Sequence, residues 1–397
     1  MNKKNFLEGM IAGIILVMAV NMLIIFALPA VFSRTAAGGG FDSRLKDKMN
    51  IIYRIIDTHF VDQFYIEDLE RGMFIGLMYG LGDVYSTYLS ASEYAQFEER
   101  TRGVYAGIGA VVTSTEDGRV VVVSPFDGSP AAEAGIMAQD VIMSVDGVDT
   151  MNIGLDLVVA MMRGLPGTDV EITIFRESEN RTLDFTITRD FITIQTVSYR
   201  MLADGIGYIR LSGFEQVTYE QFKEALDSLI EQGAKGFILD VRNNPGGLLD
   251  VVADIVDLLV PEGIIVFTED RYGNRDYLHS GADYLGKPIV LLVNGSSASA
   301  SEVLAGAIMD YGVGALVGEQ TFGKGLVQRV FPLPDGSAVK LTVARYFTPN
   351  GISIHGEGIT PDYVVPMAAE YRARIAGLTL EEDVQLQKAV EVMEGLM

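Results

Sequence analysis

The spacing of apolar and polar residues along the chain changes several times. From Gly9 to Phe32 no residue is charged. At about 1.5 Å of rise per residue, a helix over that stretch crosses a bilayer core of about 30 Å. From 41 to 102 the pattern is helical, with Met49, Ile52, Tyr53, Ile56 and Phe60 recurring at three and four along one face. From 103 to 190 it shortens to strand-like runs, RVVVVSP, DVIMSVDGV, DVEITIFR and RTLDFTITR, around the small-residue helix SPAAEAG and the helical LDLVVAMMRG. From 191 to 366 apolar strands alternate with amphipathic helices. Unbroken runs such as IVLLV suit strands buried on both faces, so part of the sheet is expected to be parallel. Residues 367–397 read as a helical tail.

Composition narrows what such a chain does. Lys and Arg total 30 against 53 Asp and Glu, a formal charge of -23, which repels nucleic acid. There is no cysteine, so disulfides, thiolate metal sites and a cysteine nucleophile are excluded, and only His59, His279 and His355 could serve a histidine-based site. No metal or cofactor is expected. Lys3 and Lys4 ahead of the apolar stretch favour a cytoplasmic N-terminus with everything after Arg34 outside, and the apolar run is longer than the usual signal-peptide core. The expectation is an uncleaved membrane anchor with a flexible joint at Gly38-Gly39-Gly40.

Candidate chemistry gathers around a repeated tetrapeptide. SASE occurs at Ser90–Glu93 and at Ser299–Glu302, each with the Ser-x-x-Glu spacing of a helix-capping box. Nothing chemically unusual surrounds Ser90. Ser299 follows the buried strand KPIVLLV through a loop of small residues into a helix, the place where sites form in such sheets. A nucleophilic serine needs a base. His59 and His279 read as surface or packing residues, and His355 has no evident acidic partner. Lys324, flanked by glycines in TFGKG between apolar strands, is poorly placed for solvation, and desolvation favours the neutral amine. GEQTFGKG also opens like a phosphate loop, but Gly325 stands where a Ser or Thr is required and a strand follows instead of a helix. Two Ser-x-x-Lys matches, Ser43–Lys46 and Ser337–Lys340, lack a KTG partner and are accidental.

Two resemblances follow from longer motifs. The block 103–190 resembles a PDZ domain on SPAAEAGI, the Asp146-Gly147 turn and RGLPGT. That resemblance implies a peptide added as a strand, its C-terminal carboxylate held by the loop Gly107-Ile108-Gly109-Ala110, with Ile108 lining the pocket for the last side chain. SASASE followed by TFGKG, with DVRNNPGG, VYSTYL and HGEGITPD, resembles the carboxyl-terminal processing (tail-specific) peptidases. It implies Ser299 as nucleophile, Lys324 as general base and Gln328 as the residue that orients the lysine. It also implies an oxyanion hole from the amide of Ala300 and one from Gly246-Gly247, with Gly246 as first choice, and a homodimer. Ser296, Ser297 and Ser301 are given no role beyond small size and capping.

The expected protein is thus multidomain, α+β and α/β. A transmembrane anchor and linker (1–40) precede a helical region (41–102), a PDZ domain (103–190), a mixed α/β serine peptidase core (191–366) and a helical tail (367–397). The expected activity is extracytoplasmic, membrane-tethered endoproteolysis of protein substrates recognised by their tails. The competing readings are a non-enzymatic PDZ adaptor and a Ser-Lys amidase or transpeptidase of cell-wall peptides.

Overall fold

A computed structural model describes residues 43–397 of the chain. The expected anchor and the glycine joint lie outside the described residues. Among the described residues no helix is long and apolar enough to cross a membrane. The chain divides into two compact units at Glu70/Arg71. In the first, α1 (Ser43–His59) carries the predicted stripe up to Ile56, with Ile52 and Tyr53 exposed, and Phe60 lies just beyond its end, also exposed. Helix α2 (Ile66–Tyr79) runs on into the second unit.

The second unit opens with β1 (Thr87–Leu89) and α3 (Ala91–Arg102), a helix ended by Gly103. A two-stranded ribbon of β2 (Val104–Gly107) and β9 (Asp190–Thr193) closes the base of the next domain. That domain is an antiparallel sheet in the order β3 (Ala110–Ser114), β4 (Val120–Pro125), β5 (Val141–Val145), β7 (Asp169–Arg176) and β8 (Arg181–Thr188), with β6 (Val148–Asp149) paired to β5. Helices α4 (Pro130–Ala134) and α5 (Leu155–Met162) complete it. Alternation along β7 sends Val170, Ile172 and Ile174 into a core shared with Val158 and Met162 of α5, as half-buried strands require. Among the described residues β3 pairs with β4 alone and leaves one edge free.

The larger domain has two sheets. One runs β10 (Val197–Met201), β11 (Ile206–Leu211), β12 (Gly236–Asp240), β15 (Ile289–Val293), β16 (Gly314–Gly318) and β19 (Tyr363–Val364). From β11 to β19 all neighbours are parallel, and β12 and β15 are buried at every position, as their unbroken apolar runs predict. On one face α6 (Thr218–Glu231), α7 (Leu249–Asp257) and α8 (Ala300–Tyr311) bury Phe222, Val252, Ile255 and Leu304 against Phe237, Leu239 and Leu291. The second sheet is antiparallel, with β1, β18 (Ala338–Phe347), β13 (Gly263–Asp270) and β14 (Arg275–Ser280) in that order and β17 (Leu326–Pro332) on β18. The tail forms a short α9 (Ala369–Arg372) and then α10 (Val384–Leu396). Leu386, Ala389 and Met393 of α10 cover the opposite face of the parallel sheet, over Ile238, Val290 and Leu292.

Candidate active site

Three adjacent parallel strands, β12, β15 and β16, deliver three loops at their carboxyl ends, where ligands bind in open α/β sheets. Asn243–Gly247 follows β12, Asn294–Ser299 follows β15, and Glu319–Gly325 follows β16. They meet in a cleft of about 420 Å³ lined by Ser299, Ala300, Gly247, Lys324 and Gln328, with Phe97 and Arg100 of α3 on its rim.

Ser299 stands immediately before α8 at φ 55°, ψ -114°. A β-carbon makes positive φ costly, typically about 1–3 kcal/mol, and such residues persist only where their surroundings over-determine them. Here the amide of Ser299 donates to Glu302 Oε2 at 2.9 Å, and its carbonyl accepts from the amides of Glu302 (2.8 Å) and Val303 (3.1 Å) and the Tyr346 hydroxyl (2.9 Å). The Glu302 amide donates to the serine's carbonyl, and the Ser299 hydroxyl, although it stands in a capping-box arrangement toward the same amide, makes no cap hydrogen bond of its own. Ser90 differs. Its hydroxyl takes the Glu93 amide and its own amide donates to Glu93, a full capping box. The same four letters thus give a cap in one place and an uncommitted hydroxyl in the other.

Lys324 is half-buried, and its ammonium lies 4.8 Å from the centre of the Tyr85 ring. Burial pushes its pKa below the ordinary lysine value and the neighbouring Lys340 adds to this; Asp83 and Glu302 pull less strongly the other way. Desolvation and the neighbouring cation bias the amine toward its neutral, proton-accepting form. Gln328, on β17, lines the same cleft, with its amide nitrogen 3.5 Å from Thr342 Oγ1.

The two halves are joined by a residue that sequence reasoning treated only as a cap partner. Glu302 is fully buried, and its carboxylate accepts from Ser299 N (2.9 Å), Lys324 N (2.8 Å), Gly323 N (2.7 Å) and Thr321 Oγ1 (2.6 Å). One side chain thus ties the serine's backbone to the lysine's. Tyr346 repeats the link, its hydroxyl 2.9 Å from the carbonyl of Ser299 and 2.6 Å from that of Lys324. The segment VYSTYL also gains a place. Asp83 accepts from Ser86 Oγ, which in turn accepts from the Thr342 amide at 3.0 Å, pinning Tyr85 beside the lysine. The signals were the Glu at the third position after Ser299 and the polar residues of VYSTYL, but neither spacing announces a contact across sheets.

The amide donors need one revision. The Gly246 amide is engaged by Asn244 Oδ1 at 2.9 Å, so it is not available to a substrate oxygen. Gly247, which lines the cleft, and Ala300, the first residue of α8, keep amides without an acceptor among the described residues. Gly246 matters by its missing side chain instead. At φ 102° a β-carbon there would stand 2.7 Å from the Ala298 carbonyl and 2.8 Å from Ser299 Cβ. Ser297 and Ser301, expected to be only small, are latches between loops. Ser297 Oγ donates to the Val241 carbonyl (2.8 Å) and Ser301 Oγ to that of Asn244 (2.9 Å).

The remaining predicted residues fall elsewhere. Ala110 opens β3, and the Gly107–Ala110 loop sits at the head of β3 opposite α5. Ile108 is buried against Val158 and Met162, while the amides of Ile108 and Gly109 have no acceptor among the described residues. His355 is exposed and does not line the cleft, His279 lies on β14 beside Tyr277, and His59 ends α1.

Comparison with known proteins agrees with this architecture. Residues 205–365 match the model of peptidase family S41, and residues 106–187 match that of a PDZ domain. The chain is 40% identical over 321 residues to a carboxyl-terminal-processing protease of Synechocystis sp., covering 79% of this chain and 74% of that one. It is 40% identical over 336 residues to a carboxy-terminal-processing protease of Bartonella bacilliformis, covering 81% and 75%. Among solved structures it is similar to a photosystem II D1 C-terminal processing protease, at 32% identity and a TM-score of 0.47, covering 80% of this chain and 86% of that one. A serine held at positive φ in a cleft at the sheet's carboxyl edge, together with identity of this extent, makes the chain a member of peptidase family S41, among its PDZ-containing carboxyl-terminal processing proteases.

Proposed function

We propose that the chain cleaves protein substrates by a Ser-Lys acyl-enzyme mechanism. The observation that carries the reading is the strained, uncapped Ser299 sharing one cleft with a desolvated Lys324. Neutral Lys324 takes the Ser299 proton as Oγ attacks the scissile carbonyl. The oxyanion is met by the amides of Ala300 and Gly247, a type of donor whose loss typically costs about 3–4 kcal/mol of barrier. The lysine ammonium then protonates the leaving amine, and the acyl-enzyme is opened by a water that Lys324 deprotonates in turn. Gln328 steadies the lysine from the neighbouring strand.

The PDZ domain supplies recognition in this reading. A substrate tail adds along the free edge of β3, and its terminal carboxylate takes the uncommitted amides of Ile108 and Gly109. The charge-free stretch from Gly9 to Phe32 would hold the enzyme at the membrane with its catalytic part outside. Ser299→Ala and Lys324→Ala should each abolish cleavage of an unstructured protein while leaving binding of a tail peptide intact. Cleavage at the wild-type rate by either variant would exclude the Ser-Lys pair, and only an absence of cleavage by the wild-type chain would return it to a PDZ adaptor.

A further inference from the structure

Behind the loop that carries Gly247 lies a closed ionic cluster with no part in the chemistry above. Arg242, the residue before Asn243, is fully buried. Its guanidinium donates to Asp240 (Nε to Oδ1 3.0 Å, Nη2 to Oδ2 2.6 Å) and forks onto Asp383 (Nη1 to Oδ1 2.8 Å, Nη2 to Oδ2 2.8 Å). Gln385 Oε1 accepts from Nη1 at 3.0 Å. Asp240 is shared with Arg210, at 3.1 Å, and with the Tyr208 hydroxyl, at 2.6 Å. Two carboxylates therefore face two guanidiniums. Burial alone would raise the Asp240 pKa, but Arg242 and Arg210 outweigh it and hold the carboxyl below its usual range.

The cluster is built from two distant parts of the chain. Asp240 and Arg242 close β12, whereas Asp383 and Gln385 come from the tail, beyond residue 365 where the match to the peptidase family ends. The tail grips the next residue too. Asn243, at φ 60°, donates its side-chain amide to the Arg372 carbonyl at 2.7 Å. From there the chain runs without slack through Asn244, whose Oδ1 holds the Gly246 amide, to Gly247. Bidentate pairing fixes a guanidinium in plane as well as in position. A buried arginine losing one of two carboxylates keeps an uncompensated charge and must move.

We infer that Asp383 is a positioning residue for the oxyanion-binding loop, acting through Arg242 to hold the Gly247 amide where the tetrahedral intermediate needs it. The inference rests on the Ser-Lys reading above and adds the tail as part of the catalytic apparatus.

The test uses the full chain carrying Asp383→Asn, which keeps the shape and removes the charge. Three quantities are measured: kcat and KM on an unstructured protein, the Ki of a peptide aldehyde that forms a tetrahedral adduct, and the affinity for a tail peptide. A positioning role predicts a fall in kcat of about 10- to 100-fold, below the full loss of an oxyanion donor. The aldehyde Ki should rise in parallel, with KM and tail affinity within about twofold of wild type. Unchanged kcat and aldehyde Ki, even with a lowered melting temperature, would overturn the inference. Should Asp383→Asn not fold, Gln385→Leu decides on the same readouts, since it removes one acceptor from Arg242 together with a donor to the Val365 carbonyl, which lies away from the oxyanion-binding loop. A loss of about threefold in kcat, mirrored in Ki, supports the role, and none overturns it. Failure of the Ser-Lys reading is separately visible, because Ser299→Ala would then still cleave.

Discussion

At the scale of single residues the site is organised by what is missing around two polar groups. Lys324 has a ring and a second cation for company, and its pKa is lowered chiefly by burial. In the proposed mechanism only the neutral amine accepts the serine proton. Activity should therefore fall as pH drops through the depressed lysine pKa and level off above it, readable as a single ionisation in kcat/KM. A rate flat far into acid would exclude a lysine base. The same shift bears on stability. In the unfolded chain the lysine titrates near its ordinary 10.5, so between the folded and unfolded values the unfolded state holds the extra proton. Stability then rises with pH across that window, and below it the buried ammonium is a standing cost. Lys324→Met should thus be inactive yet melt higher than wild type at neutral pH, an advantage that shrinks as pH rises toward 10.5. Glu302 predicts the reverse. It serves four donors, and Glu302→Gln leaves one acceptor oxygen for them. With a cost of about 1–3 kcal/mol for each buried amide left unpaired, the variant should melt lower and lose activity by about 100-fold or more. Normal activity would show that the serine's backbone strain does not depend on this carboxylate.

At the scale of elements, the sequence made the strands readable and left their assembly hidden. Runs such as IVLLV and GFILD announce buried strands by composition alone, and both are buried throughout. The loop after each was legible as small and glycine-rich. Which loops become neighbours depends on strand order, and β12, β15 and β16 lie side by side although α7, β13, β14 and α8 intervene in sequence. For that reason Ser299 and Lys324 could be singled out by context and resemblance, while the Glu302 contact with the lysine loop could not. The choice between Gly246 and Gly247 as proposed oxyanion donor was hidden for a related reason. The bond from the Gly246 amide to Asn244 Oδ1 is a local side-chain turn that a glycine pair does not advertise. Gly246 is still indispensable sterically. Gly246→Ala should push Ser299 and the Ala298 carbonyl aside and lower kcat by at least about 10-fold, seen also as slower labelling of Ser299 by a fluorophosphonate. Labelling at the wild-type rate would mean that the loop yields without disturbing the nucleophile.

At the scale of the whole molecule, the tail acts on the catalytic domain in two separable ways. Asp383 and Gln385 reach the ionic cluster behind the oxyanion loop, whereas Leu386, Ala389 and Met393 cover the apolar face of the parallel sheet. The tail's helical pattern was plain in the sequence, but the partner it covers was not, since amphipathicity names a face and not its neighbour. Met393 is fully buried, and its sulfur lies against Gly236 of β12, where an added β-carbon would displace it. Truncating it removes buried apolar atoms about 10 residues away in sequence from Asp383 without touching the cluster. Met393→Ala should destabilise the protein by about 2–5 kcal/mol in a urea titration. At temperatures where the variant remains folded, its kcat and its Ki for a peptide aldehyde should stay within about twofold of wild type. If cavity formation at Met393 lowered kcat as strongly as neutralising Asp383, the tail would act on the site only through general stability, and the division between covering and positioning would fail.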